Sequence, residues 1–148
     1  MGAPDVAPAE GPVVPWRWRD GQPTCRVYAS VPSGVVLQAF GSLLAGAGLR
    51  VRREGPRVVA RPPLARLRNA LAWCTPVDFL EVPTIVAEVR SDVAPTSEVD
   101  VRVVGGCVSK VRTKVVDSLN GTVTYLQGRG DEVAVSPWRP YSRFQKDV

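Results

Sequence analysis

Cys107-Val108-Ser109-Lys110-Val111-Arg112-Thr113-Lys114-Val115-Val116-Asp117-Ser118-Leu119-Asn120-Gly121-Thr122-Val123-Thr124-Tyr125-Leu126-Gln127 is the stretch that decides the fold. Val108, Val111, Val115, Val116, Leu119, Val123 and Leu126 recur at spacings of three and four, which stacks them on one side of a helix over 107–127. Lys110, Arg112, Lys114, Asp117 and Asn120 fall on the other side. A helix that is oily on one face and wet on the other needs an apolar layer to lie on. The chain before it supplies the strands of such a layer. Gly105-Gly106 releases the chain into the helix, and Gly128-Arg129-Gly130 ends it.

Working back from the helix, Glu98 to Val104 alternates, with Val99, Val101 and Val103 against Glu98, Asp100 and Arg102. Thr84 to Arg90 alternates in the same way, and the polar run 91–97, with Pro95, reads as the connection between two antiparallel strands. Leu64 to Cys74 is ambiguous between helix and strand and reads as a helix or irregular connector, and Thr75 to Pro83 reads as loop with a short extended piece. Leu49–Arg53 and Arg57–Arg61 flank Glu54-Gly55-Pro56, the chemistry of a hairpin turn. If their pleats match, Arg50, Arg52, Arg57 and Arg61 share one exposed sheet face.

Nearer the start, Cys25–Val31 is a half-buried strand, with Cys25, Val27, Ala29 and Val31 on one side. Pro32 stops it and Ser33 is placed to cap a second helix, whose apolar face is Val35, Val36, Ala39, Phe40, Leu43, Leu44 and Ala47. Gly34, Gly41 and Gly46 weaken that helix and let it lie close to a neighbour. The expected class is α+β: an antiparallel sheet of about four to six strands with two helices packed on one face. Residues 1–23 form a Pro-rich arm, 24–130 the domain and 131–148 a tail.

This order of elements resembles an abbreviated helix-grip arrangement, similar to the START and polyketide-cyclase-like proteins, over about residues 25–127. The resemblance implies an apolar ligand held between the sheet and the last helix. It carries no diagnostic motif, so it assigns no functional residue.

The chain has 148 residues, 45% of them apolar, and a formal charge of +5. That charge is concentrated: residues 50–68 hold Arg50, Arg52, Arg53, Arg57, Arg61, Arg66 and Arg68 against the single acid Glu54. Such a segment suits a polyanion, an acidic partner or an anionic membrane surface. Leu64, Leu67, Leu71 and Trp73 with Arg66 and Arg68 also fit a short interfacial helix, and burial explains the same residues.

The usual catalytic constellations are missing from the sequence. There is no histidine, so the common base for a Ser, Thr or Cys nucleophile is absent, and so are the usual zinc sets. Cys25, Cys74 and Cys107 are too far apart for paired metal ligands and odd in number for a disulfide framework, which leaves apolar packing in a reducing compartment, and no cofactor or metal is expected. Asp78 with Glu81 and Asp92 with Glu98 are the carboxylate pairs available for acid–base work. The glycines before Lys110 would suit an anion at a helix start, but the spacing of a phosphate loop is incomplete and a plain strand-to-helix turn explains both.

Two Trp-Arg segments mark the ends of the chain: Trp16-Arg17-Trp18-Arg19, and Trp138-Arg139 in a repeat of the Pro15-Trp16-Arg17 triplet. Indoles left in water are costly, so each segment either packs on its own domain or docks on a partner. The expected function is a non-enzymatic binding or assembly module acting through these tails and the basic sheet face, with a protein partner or self-association. The alternatives are a carrier of an apolar small molecule and a nucleic-acid binder, in which Tyr28 would stack one base. No stretch is long and apolar enough to span a membrane, and a cytoplasmic protein is the default reading.

Overall fold

In the computed structural model, the described residues are 13, 22–63, 83–105 and 109–141. They form β1 (Pro23–Ala29), α1 (Ser33–Gly46), β2 (Arg50–Glu54), β3 (Arg57–Arg61), β4 (Thr84–Val93), β5 (Thr96–Val104), α2 (Ser109–Gly128), β6 (Val133–Val135) and β7 (Arg139–Pro140). The class is α+β, and the sheet is antiparallel throughout. Its strands run in the order β2-β3-β4-β5-β1-β6, with β7 also bonded to β1.

Each hairpin follows from its residues. Gly55 stands at φ +59° just ahead of Pro56. A positive first angle followed by proline's fixed negative one fits the II′ turn that closes two-residue hairpins. The β4–β5 hairpin is longer than alternation alone suggests, because pairing continues through Asp92↔Ser97 and Val93↔Thr96 past an irregularity between Val89 and Ser91. The polar residues expected to form a loop there pair as strand instead. Val93 and Thr96 stay exposed at that end, while buried Ser97 donates its hydroxyl to the Val31 carbonyl at 2.7 Å.

The strand faces divide as the alternation predicts. Cys25, Val27 and Ala29 lie with Val99 and Val101, then with Ile85 and Ala87, then with Val58 and Ala60, all in the core. The helices cover this face unequally. α1 crosses β2, β3, β4 and β5, whereas α2 lies beside α1 and reaches β6. The long C-terminal helix therefore shares the cover rather than providing it alone.

Val111, Val115, Val116, Leu119 and Leu126 of α2 are buried as expected, and Val123 is partly so. Ser118 and Thr122 are buried among them, and the Thr122 hydroxyl donates to the Ser118 carbonyl at 2.8 Å. In α1 the buried face is Val36, Leu37, Phe40, Gly41 and Leu44, turned from the expected one. Leu43 instead points sideways to α2. A Cβ on Gly121 would come within 2.9 Å of its Cδ1.

Ser33 is not the cap of α1. The helix starts at Ser33 itself, and Asp92 from the end of β4 reaches it. Asp92 accepts the Ser33 N–H at 3.2 Å and the Ser33 hydroxyl at 2.6 Å. A carboxylate near free helix amides is favourably placed by the helix dipole. One member of the Asp92–Glu98 pair is thereby engaged in holding the fold.

The segment read as a C-terminal tail joins the sheet. Val135 pairs with Val27 and Arg139 with Thr24 along the free side of β1. Between them Ser136 accepts the Arg26 N–H on its hydroxyl and returns its own N–H to the Arg26 carbonyl, both at 2.8 Å. The stretch from Val133 to Pro140 thus completes the strand that opens the domain.

Candidate functional site

The β2–β3 register sets Arg50 opposite Arg61, Arg52 opposite Val59 and Glu54 opposite Arg57. Directly opposed residues share a sheet face, so Arg50, Arg52, Arg57 and Arg61 stand together on the side away from the helices. All four are exposed. Glu54 meets Arg57 at 2.9 Å and Arg52 at 4.0 Å, and Glu88 of β4 lies opposite Arg57. Among the described residues no ion pair reaches Arg50 or Arg61.

Further across the same face the character changes. Arg102 pairs with Thr24 and Val86, Asp100 with Arg26 and Glu88, and Glu98 with Tyr28. Thr24 and Arg26 are fully buried here, although this is the side expected to face water. Arg26 donates through Nε to Asp100 Oδ1 at 2.7 Å and through Nη2 to Oδ2 at 3.4 Å. Burial alone would lower the Arg26 pKa, but the hydrogen bond and charge of Asp100, helped by Tyr28, hold it above the ordinary arginine value. Arg102 stacks on the Tyr141 ring at 4.2 Å, so Tyr141, just past β7, covers part of this region.

Tyr28 is half-buried, beside Glu98 and separated from β2 by three strands. Burial raises its pKa, and Arg26 offsets part of the rise. The one aromatic expected to stack a base beside the arginines of the hairpin stands instead between Glu98 and Arg26.

The remaining predicted positions divide in two. Trp138 is buried in the domain's own core, and Arg139 is half-buried in β7. Trp16, Arg17, Trp18, Arg19, Arg66 and Arg68 lie outside the described residues, as do Asp78, Glu81, Cys74 and Cys107. Cys25 is fully buried, and that burial, with a smaller push from Asp100, lifts its thiol well above the ordinary value of 9.0. A thiol so placed stays protonated and inert.

A second surface feature was not legible in the sequence. Gly34, Val35, Gln38, Ala39, Ser42 and Leu43 of α1, with Tyr125 and Arg129 beyond them, line an apolar groove of about 670 Å³. It opens on the outer side of the helix pair rather than between helix and sheet. Leu43 and Tyr125 are 38% and 52% exposed within it. Among the described residues no group of three potential metal ligands stands together, and no helix is long and apolar enough to cross a membrane. No family model matches the chain, and no curated protein matches it.

Proposed function

We propose that this protein is a non-enzymatic binding module whose working surface is the arginine face of the β2–β3 hairpin, and that its partner is anionic. The observation that carries the reading is the shared face of Arg50, Arg52, Arg57 and Arg61, four exposed guanidinium groups against the single hairpin carboxylate of Glu54. Guanidinium groups are weakly hydrated and present a planar fork of donors, which suits them to carboxylate or phosphate oxygens. An acidic protein suits the surface better than a nucleic acid does. The latter reading loses Tyr28, its stacking platform, which is separated from β2 by three strands.

The test is retention on immobilised heparin across a salt gradient. Replacing Arg50, Arg52 and Arg61 together with serine should move elution to clearly lower salt. The same loss of charge elsewhere, through Lys110, Lys114 and Arg129 changed to serine, should move it much less. Equal shifts for the two variants would reduce the surface to net charge and remove the proposal.

A second reading, an apolar carrier of helix-grip type, draws support from the antiparallel sheet with two helices and from the groove beside Leu43 and Tyr125. An environment-sensitive dye such as anilinonaphthalene sulfonate tests it. Emission that persists unchanged in Leu43→Ser would separate the groove from any apolar binding.

A further inference from the structure

β2 forms one edge of the sheet. It is bonded to β3 on one side, and among the described residues no strand lies on the other. The Gly55-Pro56 loop closes on the pair Glu54–Arg57, and bonded pairs alternate from there through Arg52–Val59 to Arg50–Arg61. The amide and carbonyl groups of Val51 and Arg53 consequently face outward. No described hydrogen bond fills them.

An edge of this kind is a template for another strand, and natural proteins guard such edges with charge. Here the guard is of one sign. Arg50 and Arg52 flank the edge on the open face, and Arg53 flanks it on the helix side, where its Nη2 comes within 3.8 Å of the place a Gly34 Cβ would occupy. A second copy pairing through β2 would bring these guanidinium groups against their own kind, which like-charge cross-strand contacts disfavour. A strand carrying carboxylates on the open face turns the contacts at Arg50 and Arg52 favourable.

We propose that the free edge of β2 takes an acidic, extended peptide of a partner protein as an added strand. The inference rests on the anionic-partner reading and goes further, naming the partner's backbone as well as its charge. The incoming main chain bonds Val51 and Arg53. Carboxylates on alternate residues meet Arg50 and Arg52 on the open face, and the residues between them turn toward α1. Strand addition draws affinity from main-chain bonds and specificity from alternate side chains, so the arginines select and the edge holds.

The probe is a short labelled peptide of alternating glutamate and valine, compared with the same peptide N-methylated at its valines and with oligothymidylate. In an antiparallel addition the valines lie opposite Val51 and Arg53, so their amides make the new bonds. The expected result is binding of the plain peptide, loss of binding on valine N-methylation, and slowed hydrogen exchange at the Val51 and Arg53 amides. Arg50→Gln and Arg52→Gln should each weaken it by about tenfold, the effect of one lost charge-assisted bond, and the corresponding changes to glutamate by more. Binding that survives methylation with unchanged exchange at both amides would overturn strand addition while leaving the anionic-partner reading intact. Oligothymidylate binding alone would overturn it in favour of nucleic acid. If neither probe binds, both the inference and the reading beneath it fail.

Discussion

Asn120 holds Val13 by its main chain: Oδ1 accepts the Val13 N–H at 2.7 Å and Nδ2 donates to the Val13 carbonyl at 3.3 Å. A primary amide offers the same donor and acceptor as a peptide group, so α2 presents at Asn120 a one-residue imitation of a neighbouring strand. The arm therefore returns to its own domain at Val13, whose side chain packs against the core. Changing Asn120 to leucine removes both bonds. We expect a loss of about 1–3 kcal/mol in urea unfolding and fast exchange of the Val13 amide. Unaltered exchange would show that the arm is held elsewhere.

Arg26 and Asp100 form the most demanding pair in the sheet, with the arginine side chain 1% exposed and the carboxylate 18%. Asp100→Ala leaves a buried guanidinium that keeps its charge, and should cost about 3–5 kcal/mol. Arg26→Met combined with Asp100→Leu should recover much of that loss. Denaturation midpoints of the two single variants and the double variant, set out as a cycle, check this.

Asp92 secures the start of α1 from a distant strand. Asp92→Ala should destabilise the protein by about 1 kcal/mol, the usual worth of a helix cap. Ser33→Ala should cost less, because it keeps the 3.2 Å bond from the backbone amide. If Ser33→Ala proved the more damaging of the two, the hydroxyl rather than the helix amide would be the group that matters.

Cys25 and Tyr28 make stability fall in alkali. Both pKa values are raised in the fold, so the folded state holds these protons more tightly than the unfolded one. Their contribution is complete below the ordinary values of 9.0 and 10.0 and declines as pH climbs through them. Urea midpoints measured upward from neutrality should drop, and Cys25→Ala should flatten the earlier part of the drop. A curve unchanged by that substitution would place the cause elsewhere.

Gly41 offers an opposite kind of change. A Cβ there would lie 3.5 Å and 3.6 Å from methyl groups of Val51 and Val58, which is ordinary contact. Gly41→Ala should therefore raise stability by about 0.5–1 kcal/mol through helix propensity and a less flexible unfolded chain. A fall in melting temperature would mean that α1 cannot give the small distance required.

Much of this architecture could be read from alternation. Val99, Val101 and Val103 against Glu98, Asp100 and Arg102 defined β5 because one side of that strand is packed, and the Gly55-Pro56 turn set the register that gathers four arginines. What alternation could not convey was cover on the second side. Arg26 looks like a solvent residue in sequence and is buried because Ser136 and Asp100 satisfy its groups from over seventy positions away. Trp138 looked like a docking anchor for a similar reason: three residues of β6 and two of β7 carry too little pattern to announce a strand. The buried face of α1 was misjudged at Leu37 and Leu43, since a helix with neighbours on two sides has a wider apolar arc than either neighbour alone requires.

The placement of β1 between β5 and the short β6 and β7 has a consequence for the order in which this molecule can be completed. A chain emerging from the ribosome delivers β1 before its neighbours, and that strand waits for residues 96–104 to arrive on one flank and for 133–140 on the other. Until then an extended, valine-bearing segment stays open to wrong pairing, the hazard that late non-local closure brings. Chains interrupted before Val133 should accordingly depend on chaperones far more than those that reach Pro140.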